Sequence, residues 1–316
     1  MRYTLRQLEY FIATGETGSI TLASERVHIS QPSISMAISH LEKALGVQLF
    51  IRHHAQGLSL TPAGRNLLFE AKKIIAQAED LFTCASEANG QIRGLLSFGC
   101  MVTLAPMLAP ELAHTFTKAY PATQVRHVVG NQEDLLEGLR RAEVDVALTY
   151  DLQIPGDVHF VPLARLPPYV LVSEAHPLAS RLALTLQELE SEPLLLLDLP
   201  LSREYFLGLF MAQGLRPNIA TRLAHQEVIR TMVANGYGYA LFNVRPRSEY
   251  ALDGRKVVRV RLSGDHRPMV VGSATLKNLA QSQLVRAFEK HCQAFVSDSY
   301  NLGDGGAQLR HAARAE

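Results

Sequence analysis

The sequence predicts an α+β multidomain chain: a small helical head, a long connecting helix and two α/β lobes. Three observations carry this. The 316 residues exceed the roughly 150 of an ordinary domain. The apolar period is helical from Leu5 to about Thr61, then reads as one uninterrupted helix from Pro62 to about Asn89. From Gly94 onward, Val- and Leu-rich runs alternate with helical stretches, the mark of βαβ units and a mostly parallel sheet. The expected divisions are 1–61, 62–90 and 91–297, with a mobile Gly/Ala-rich tail at 298–316.

In the head, Ser19 can cap a helix whose inner face is Ile20, Ala23 and Val27. His28 and Ile29 turn the chain, and Ser30 is expected to cap a second helix with Pro32 in its first turn, where a missing N–H costs nothing. Ile34, Ile38, Leu41 and Leu45 then face inward, leaving Gln31, Ser33, Ser35, Met36 and Ser39 outside. Gly46 ends that helix. A small residue at the helix contact, a short turn and a polar N-terminal face describe a helix-turn-helix whose second helix enters a DNA major groove. Phe50–Leu60 reads as two short strands with a basic tip, a wing carrying Arg52 and His53 toward phosphate or the minor groove. Arg2, Arg6, Arg26, Lys43, Arg52 and Arg65 outnumber Glu9, Glu16, Glu25 and Glu42, so the head is mildly basic although the chain carries only +1.

Along the connecting helix Leu67, Ala71, Ile74, Ala78, Leu81 and Ala85 form a heptad seam, widened by Leu68, Ile75 and Phe82. A helix of that length spans roughly 40 Å at 1.5 Å per residue. The head is too small to cover such a stripe, so self-pairing into a dimer is expected, with burial against the chain's own second region as the other reading.

In the second region the strand-like runs are Leu95–Gly99, Gln124–Val129, Asp145–Tyr150, Tyr169–Ser173, Leu194–Asp198, Ile219–Leu223, Tyr239–Asn243, Lys256–Leu262 and Met269–Ala274. Helical patterns lie between them at Ala105–Ala119, Gln132–Ala142, Ser202–Gln213, Gln226–Ala234 and Lys277–Phe295. Pro167-Pro168 and Arg267-Pro268 suit two crossings between lobes, giving lobe I as 91–168 with 267–297 and lobe II as 169–266. Doubly wound sheets bind ligands beyond the C-terminal ends of their strands, where helix N-termini favour anions. That places Cys100, Met101, Val102, Thr103, Asn131, Gln132, Tyr150, Ser202, Gln226 and Phe242 at an effector cleft, along with the Leu199–Leu201 turn. Singly, Thr103, Asn131 and Ser202 are better explained as helix caps, and only together do they line one cleft. Arg203 could pair with an anionic ligand, but a surface role suits it better.

Several classes are excluded. Three cysteines far apart make neither a disulfide framework nor a CxxC site, and Cys100 reads as a small buried hydrophobe before a redox sensor. The histidines lack metal-ligand spacing, and no cofactor is expected. No apolar stretch approaches the ~18 residues of a membrane span, and MRYTLRQLEY lacks a secretion signal's apolar core, so the chain is expected in the cytoplasm. GxSxG, HExxH, P-loop and post-strand GxGxxG motifs are missing, which argues against an enzyme on this architecture. A winged-helix protein acting without a ligand remains a rival, but it leaves the lobed region unexplained.

The run Gln7-Leu8-Glu9-Tyr10-Phe11, Gly18-Ser19, Ala23, Ser30-Gln31-Pro32-Ser33-Ile34-Ser35, Leu41-Glu42, Leu45-Gly46, Leu49-Phe50, Arg52 and Leu60-Thr61-Pro62-Ala63-Gly64 resembles the LysR-type transcriptional regulators. Shorter pieces extend the resemblance to about residue 297: Pro121, Asp134-Leu135, Asp145-Val146-Ala147, His176-Pro177-Leu178 and Gly236-Tyr237-Gly238. The resemblance implies two Rossmann-like lobes similar to periplasmic binding proteins, with a small effector between them. It further implies dimers and tetramers on double-stranded promoter DNA, with RNA polymerase as a possible further partner. By the same resemblance Gln31, Pro32 and Ser35 meet DNA in the major groove, with Ser30 and Ser33 beside them, and Arg52 is the wing arginine. Met36 departs from the pattern, standing where many relatives carry a longer polar residue, and suits a thymine methyl.

Overall fold

The computed structural model describes residues 3–53, 57–87, 92–277 and 281–299. Thr4 opens α1 (Leu5–Thr17) with a reciprocal cap: its hydroxyl accepts from the Gln7 N–H and its own N–H donates to the Gln7 side chain. Gly18, left-handed at φ 63°, ends the helix. Ser19 caps α2 (Ile20–Val27), and α3 (Gln31–Leu45) follows after His28 turns the chain. Strands β1 (Phe50–His53) and β2 (Gly57–Leu60) pair antiparallel as the wing. Ala23, Ile34 and Leu41 are fully buried, and the rings of Phe11 and Phe50 meet edge-on at 5.6 Å between them.

The connecting helix α4 (Pro62–Glu87) leaves the wing directly. Its apolar stripe is less free than the heptad reading expects. Ala71 is 3% exposed in the head's own core, and Leu67, Leu68, Ile74 and Ile75 pack half-buried against it. The first turns of the seam are therefore covered by the head, because α1 lies along them. The seam side chains of Leu81, Phe82 and Ala85 lie outside the described residues, as do the wing tip 54–56 and the tail beyond 299.

Lobe I follows with β3 (Gly94–Met101), α5 (Ala105–Ala119), β4 (Thr123–Gly130), α6 (Gln132–Arg140), β5 (Val146–Tyr150) and β6 (Val158–Leu166). The chain passes Pro167-Pro168 into lobe II: β7 (Tyr169–Ser173), β8 (Ala183–Leu184), α7 (Leu186–Leu189), β9 (Pro193–Leu197), α8 (Pro200–Met211), β10 (Asn218–Leu223), α9 (Gln226–Ala234), β11 (Ala240–Phe242) and β12 (Val257–Leu262). It returns to lobe I as β13 (Met269–Leu276) and α10 (Gln283–Ser299).

The lobe I sheet has the order β4-β3-β5-β13-β6. Adjacent residues on β3 point to opposite faces, and each face has its own helix layer: Phe98 meets Phe288 of α10, while Gly99 lies against Leu135 of α6. In lobe II, β11-β7-β12-β8 is joined to the pair β9 and β10 through a bridge between Leu194 and Tyr239. Both sheets are mixed where a mostly parallel one is expected. β3 runs parallel to β4 and β5, but β13 is antiparallel to β5 and β6. A strand that leaves for the other lobe and the strand that comes back must run in opposite senses when they pair. Strands β6 and β8 and the short α7 have no counterpart in the sequence reading.

Candidate DNA-binding face and inter-lobe cleft

Burial divides α3 as its periodicity requires. Ile34, Ile38 and Leu41 face the core, Gln31, Pro32 and Ser33 are exposed, Met36 is 58% exposed and Ser35 is half-buried. Ser30 occupies the N-cap position, yet its side chain makes no capping bond; its hydroxyl lies 2.8 Å from that of Ser33. The expected cap is thus replaced by a serine pair. No acidic residue stands in the first turn, so the partial positive charge of the helix start is uncompensated.

The wing is held from two sides. Glu42, near the end of α3, accepts hydrogen bonds from the Leu49 N–H (2.8 Å) and the Phe50 N–H (3.4 Å). Across the wing, the Leu58 N–H donates to the Gly18 carbonyl at 2.8 Å. Gly57 permits that approach: its φ is 87°, and a Cβ there would sit 2.7 Å from the same oxygen. Arg52 and His53 are exposed on β1; His53 Nε2 lies 2.7 Å from the Ser59 hydroxyl, and Arg52 makes no ion pair among the described residues.

The second site lies between the lobes. Met101 at the end of β3 and Asn131, Gln132 and Glu133 at the start of α6 face Leu199–Ser202 at the start of α8 across a narrow crevice of about 10 Å³, room for about one water. Asn131 caps α6, accepting from the Asp134 N–H at 3.0 Å. Gln132 is buried; its Nε2 donates to the Leu152 carbonyl and its Oε1 has no partner. The lobes are latched nearby. Gln153 Nε2 donates to Glu204 at 2.9 Å and the Tyr205 hydroxyl donates to the Arg267 carbonyl at 2.6 Å, while Arg267 is itself held within lobe I by Asp151 at 2.9 Å. Among the described residues, no group of His, Cys, Asp or Glu is placed to hold a metal ion, and no helix is long and apolar enough to cross a membrane.

Residues 5–65 match the family model of the bacterial regulatory helix-turn-helix proteins of the lysR family, and residues 89–297 match the LysR substrate binding domain. The chain belongs to the LysR family. Its head is the DNA-binding helix-turn-helix of a transcriptional regulator, and its lobes are the effector-binding domain. The chain is 28% identical to the regulator YvbU of Bacillus subtilis over 256 residues, 81% of this chain and 87% of that protein. It is 30% identical to CfxR of Cupriavidus necator over 243 residues, 76% of each. Of solved structures, HinK from Pseudomonas aeruginosa superposes with a TM-score of 0.63 at 37% identity, over 93% of this chain and 99% of that one. CbnR complexed with its target DNA matches with a TM-score of 0.66 over 92% and 99%, at 23% identity, which speaks for the fold alone.

Within this LysR regulator the crevice gathers Met101, Asn131, Gln132 and Ser202 from the expected effector residues. Others sit elsewhere. Thr103 and Tyr150 share a buried 2.7 Å hydrogen bond beneath the cleft, and burial pushes the Tyr150 phenol up. Val102 is half-buried, its N–H bonded to the Gly130 carbonyl at 2.9 Å. Cys100 is 1% exposed, so its thiol packs in the core and not on the cleft wall; it shares a face of β3 with Phe98, which packs against Phe288 of α10. Phe242 is likewise buried in lobe II beside Tyr169, and Gln226 stands in the first turn of α9, away from the crevice lining. Arg203 is taken by Asp198 at 2.7 Å. Glu133 carries no distinguishing signal in the sequence, where an acid in a helix's first turn reads as a partner for the helix dipole.

Proposed function

We propose that this regulator docks the N-terminal end of α3 in the major groove of promoter DNA, with Ser30, Gln31, Pro32, Ser33, Ser35 and Met36 at the bases and backbone. Arg52 and His53 of the wing take phosphate or the minor groove. One observation supports this most: α3 turns an uncompensated helix start and an unburied polar face outward while its other face is fully packed. A small anionic effector, a carboxylate, occupies the inter-lobe crevice. The protein acts in the cytoplasm without catalysing a reaction, pairing into dimers and tetramers partly through α4. Effector closure of the lobes changes the angle between dimers, and with it the DNA bend and polymerase access.

The test is binding of the full-length protein to its own upstream DNA. Gln31→Ala should weaken binding about tenfold or more to the preferred sequence and relax base preference at one position. Arg52→Ala should weaken all sequences alike and reduce the salt slope by about one. Both variants should melt like the parent. Normal promoter binding by both removes this docking face.

A further inference from the structure

The two walls of the inter-lobe crevice are chemically unlike. On the lobe I side the groups accept. The Gln132 amide is fixed in orientation, because reversing it would set its oxygen against the Leu152 carbonyl; that leaves Oε1 as a buried acceptor with no donor. Beside it the exposed Glu133 carboxylate pairs with no cation among the described residues. The start of α6 is already closed by the Asn131 side chain and carries Glu133 and Asp134 in its first turn, so it offers nothing to an anion.

The lobe II side donates. The start of α8 has no capping side chain, has Pro200 in the N1/N2 region and holds no acid in its first turn. The backbone N–H groups of Leu201 and Ser202, with the Ser202 hydroxyl, are the donors at that end. Arg203 adds no net charge, being paired with Asp198.

We propose that the effector is an amino carboxylate. Its carboxylate lies against the start of α8, and its ammonium donates to Gln132 Oε1 and faces Glu133. This rests on reading the crevice as the effector site, and it narrows the carboxylate assigned there. A plain carboxylate would leave Gln132 without a donor and bring a second negative charge toward Glu133 across a narrow gap.

The experiment is calorimetric titration of the full-length protein with matched probes: the twenty L-amino acids, β-alanine and 4-aminobutyrate, each beside its deaminated acid, with propylamine as the amine alone. At least one amino acid should bind tenfold or more tightly than its deaminated partner. Glu133→Gln, at an exposed position, and Gln132→Leu should each erase that preference. Equal binding of the deaminated acids, or a preference that survives both substitutions, overturns the amino carboxylate while the carboxylate reading stands. Binding of neither acid series, or of propylamine alone, overturns both.

Discussion

Cys100 and Met36 show how a single position sets what a residue is able to do. Cys100 neighbours crevice residue Met101, yet burial pushes its thiol pKa up and keeps the sulfur protonated at neutral pH. The thiolate is the reactive form, and none is available there. Iodoacetamide should therefore label Cys100 in the native protein only as fast as the lobe opens, and readily in denaturant, as read by peptide mapping. Prompt native labelling would show that the residue reaches solvent. Met36 is the converse, a large apolar side chain left mostly exposed on a helix that otherwise sorts its residues by burial. Met36→Ala should leave stability within about 0.5 kcal/mol. It should also lower the preference for thymine at one operator position, measured on single-base variants of the site.

At the scale of elements, the helix-turn-helix was legible because burial follows period: Ile34, Ile38 and Leu41 recur at helical spacing and all three are buried. What joins α3 to the wing was not, since a carboxylate reaching forward seven residues leaves no periodic trace. Glu42→Ala should strip an acceptor from the Leu49 and Phe50 N–H groups and cost about 1–3 kcal/mol, the penalty for an unsatisfied buried donor. Glu42→Gln, which keeps an acceptor, should recover most of it in the same thermal melts. Strand β6 leaves no periodic trace for a related reason. Pro162 interrupts it and its burial does not alternate, because the register with β13 shifts between Val271 and Gly272. The strand tolerates proline because it lies at the sheet edge, where one side of its backbone needs no partner. In the cleft, the strand-end rule points to Asn131, Gln132 and Ser202, which line the crevice, and to Cys100 and Phe242, which are buried, because the rule locates a position and not the direction of its side chain.

Over the whole molecule, one lysine ties the parts together. Lys72 on α4 lies 2.9 Å from Glu16 of α1 and 2.8 Å from Glu143, just beyond α6, and Glu16 also holds Arg26 of α2 at 2.6 Å. Nothing in the sequence brings residues 16, 72 and 143 together. Helix α6 runs from Gln132 at the crevice toward Glu143, so a stiff element spans the distance between the effector site and this junction. Burial opposes ionisation of Glu16, but hydrogen bonding and charge from Lys72 and Arg26 outweigh it and hold its pKa below the ordinary 4.5. Burial likewise works against charged Lys72, and Glu143 and Glu16 overcome it, raising its pKa above the ordinary 10.5. A lowered carboxylate stabilises the fold fully above 4.5 and loses that contribution as pH falls through its folded value. A raised ammonium contributes fully below 10.5 and loses it as pH rises through its folded value. The junction is therefore intact across neutral pH and weakens at both extremes. Lys72→Met should lower the melting temperature at pH 7 and flatten both the acid and the alkaline limbs of its pH dependence relative to the parent. Identical profiles for variant and parent would mean that the three parts hold together without this contact, and that α6 has no charged route to the head.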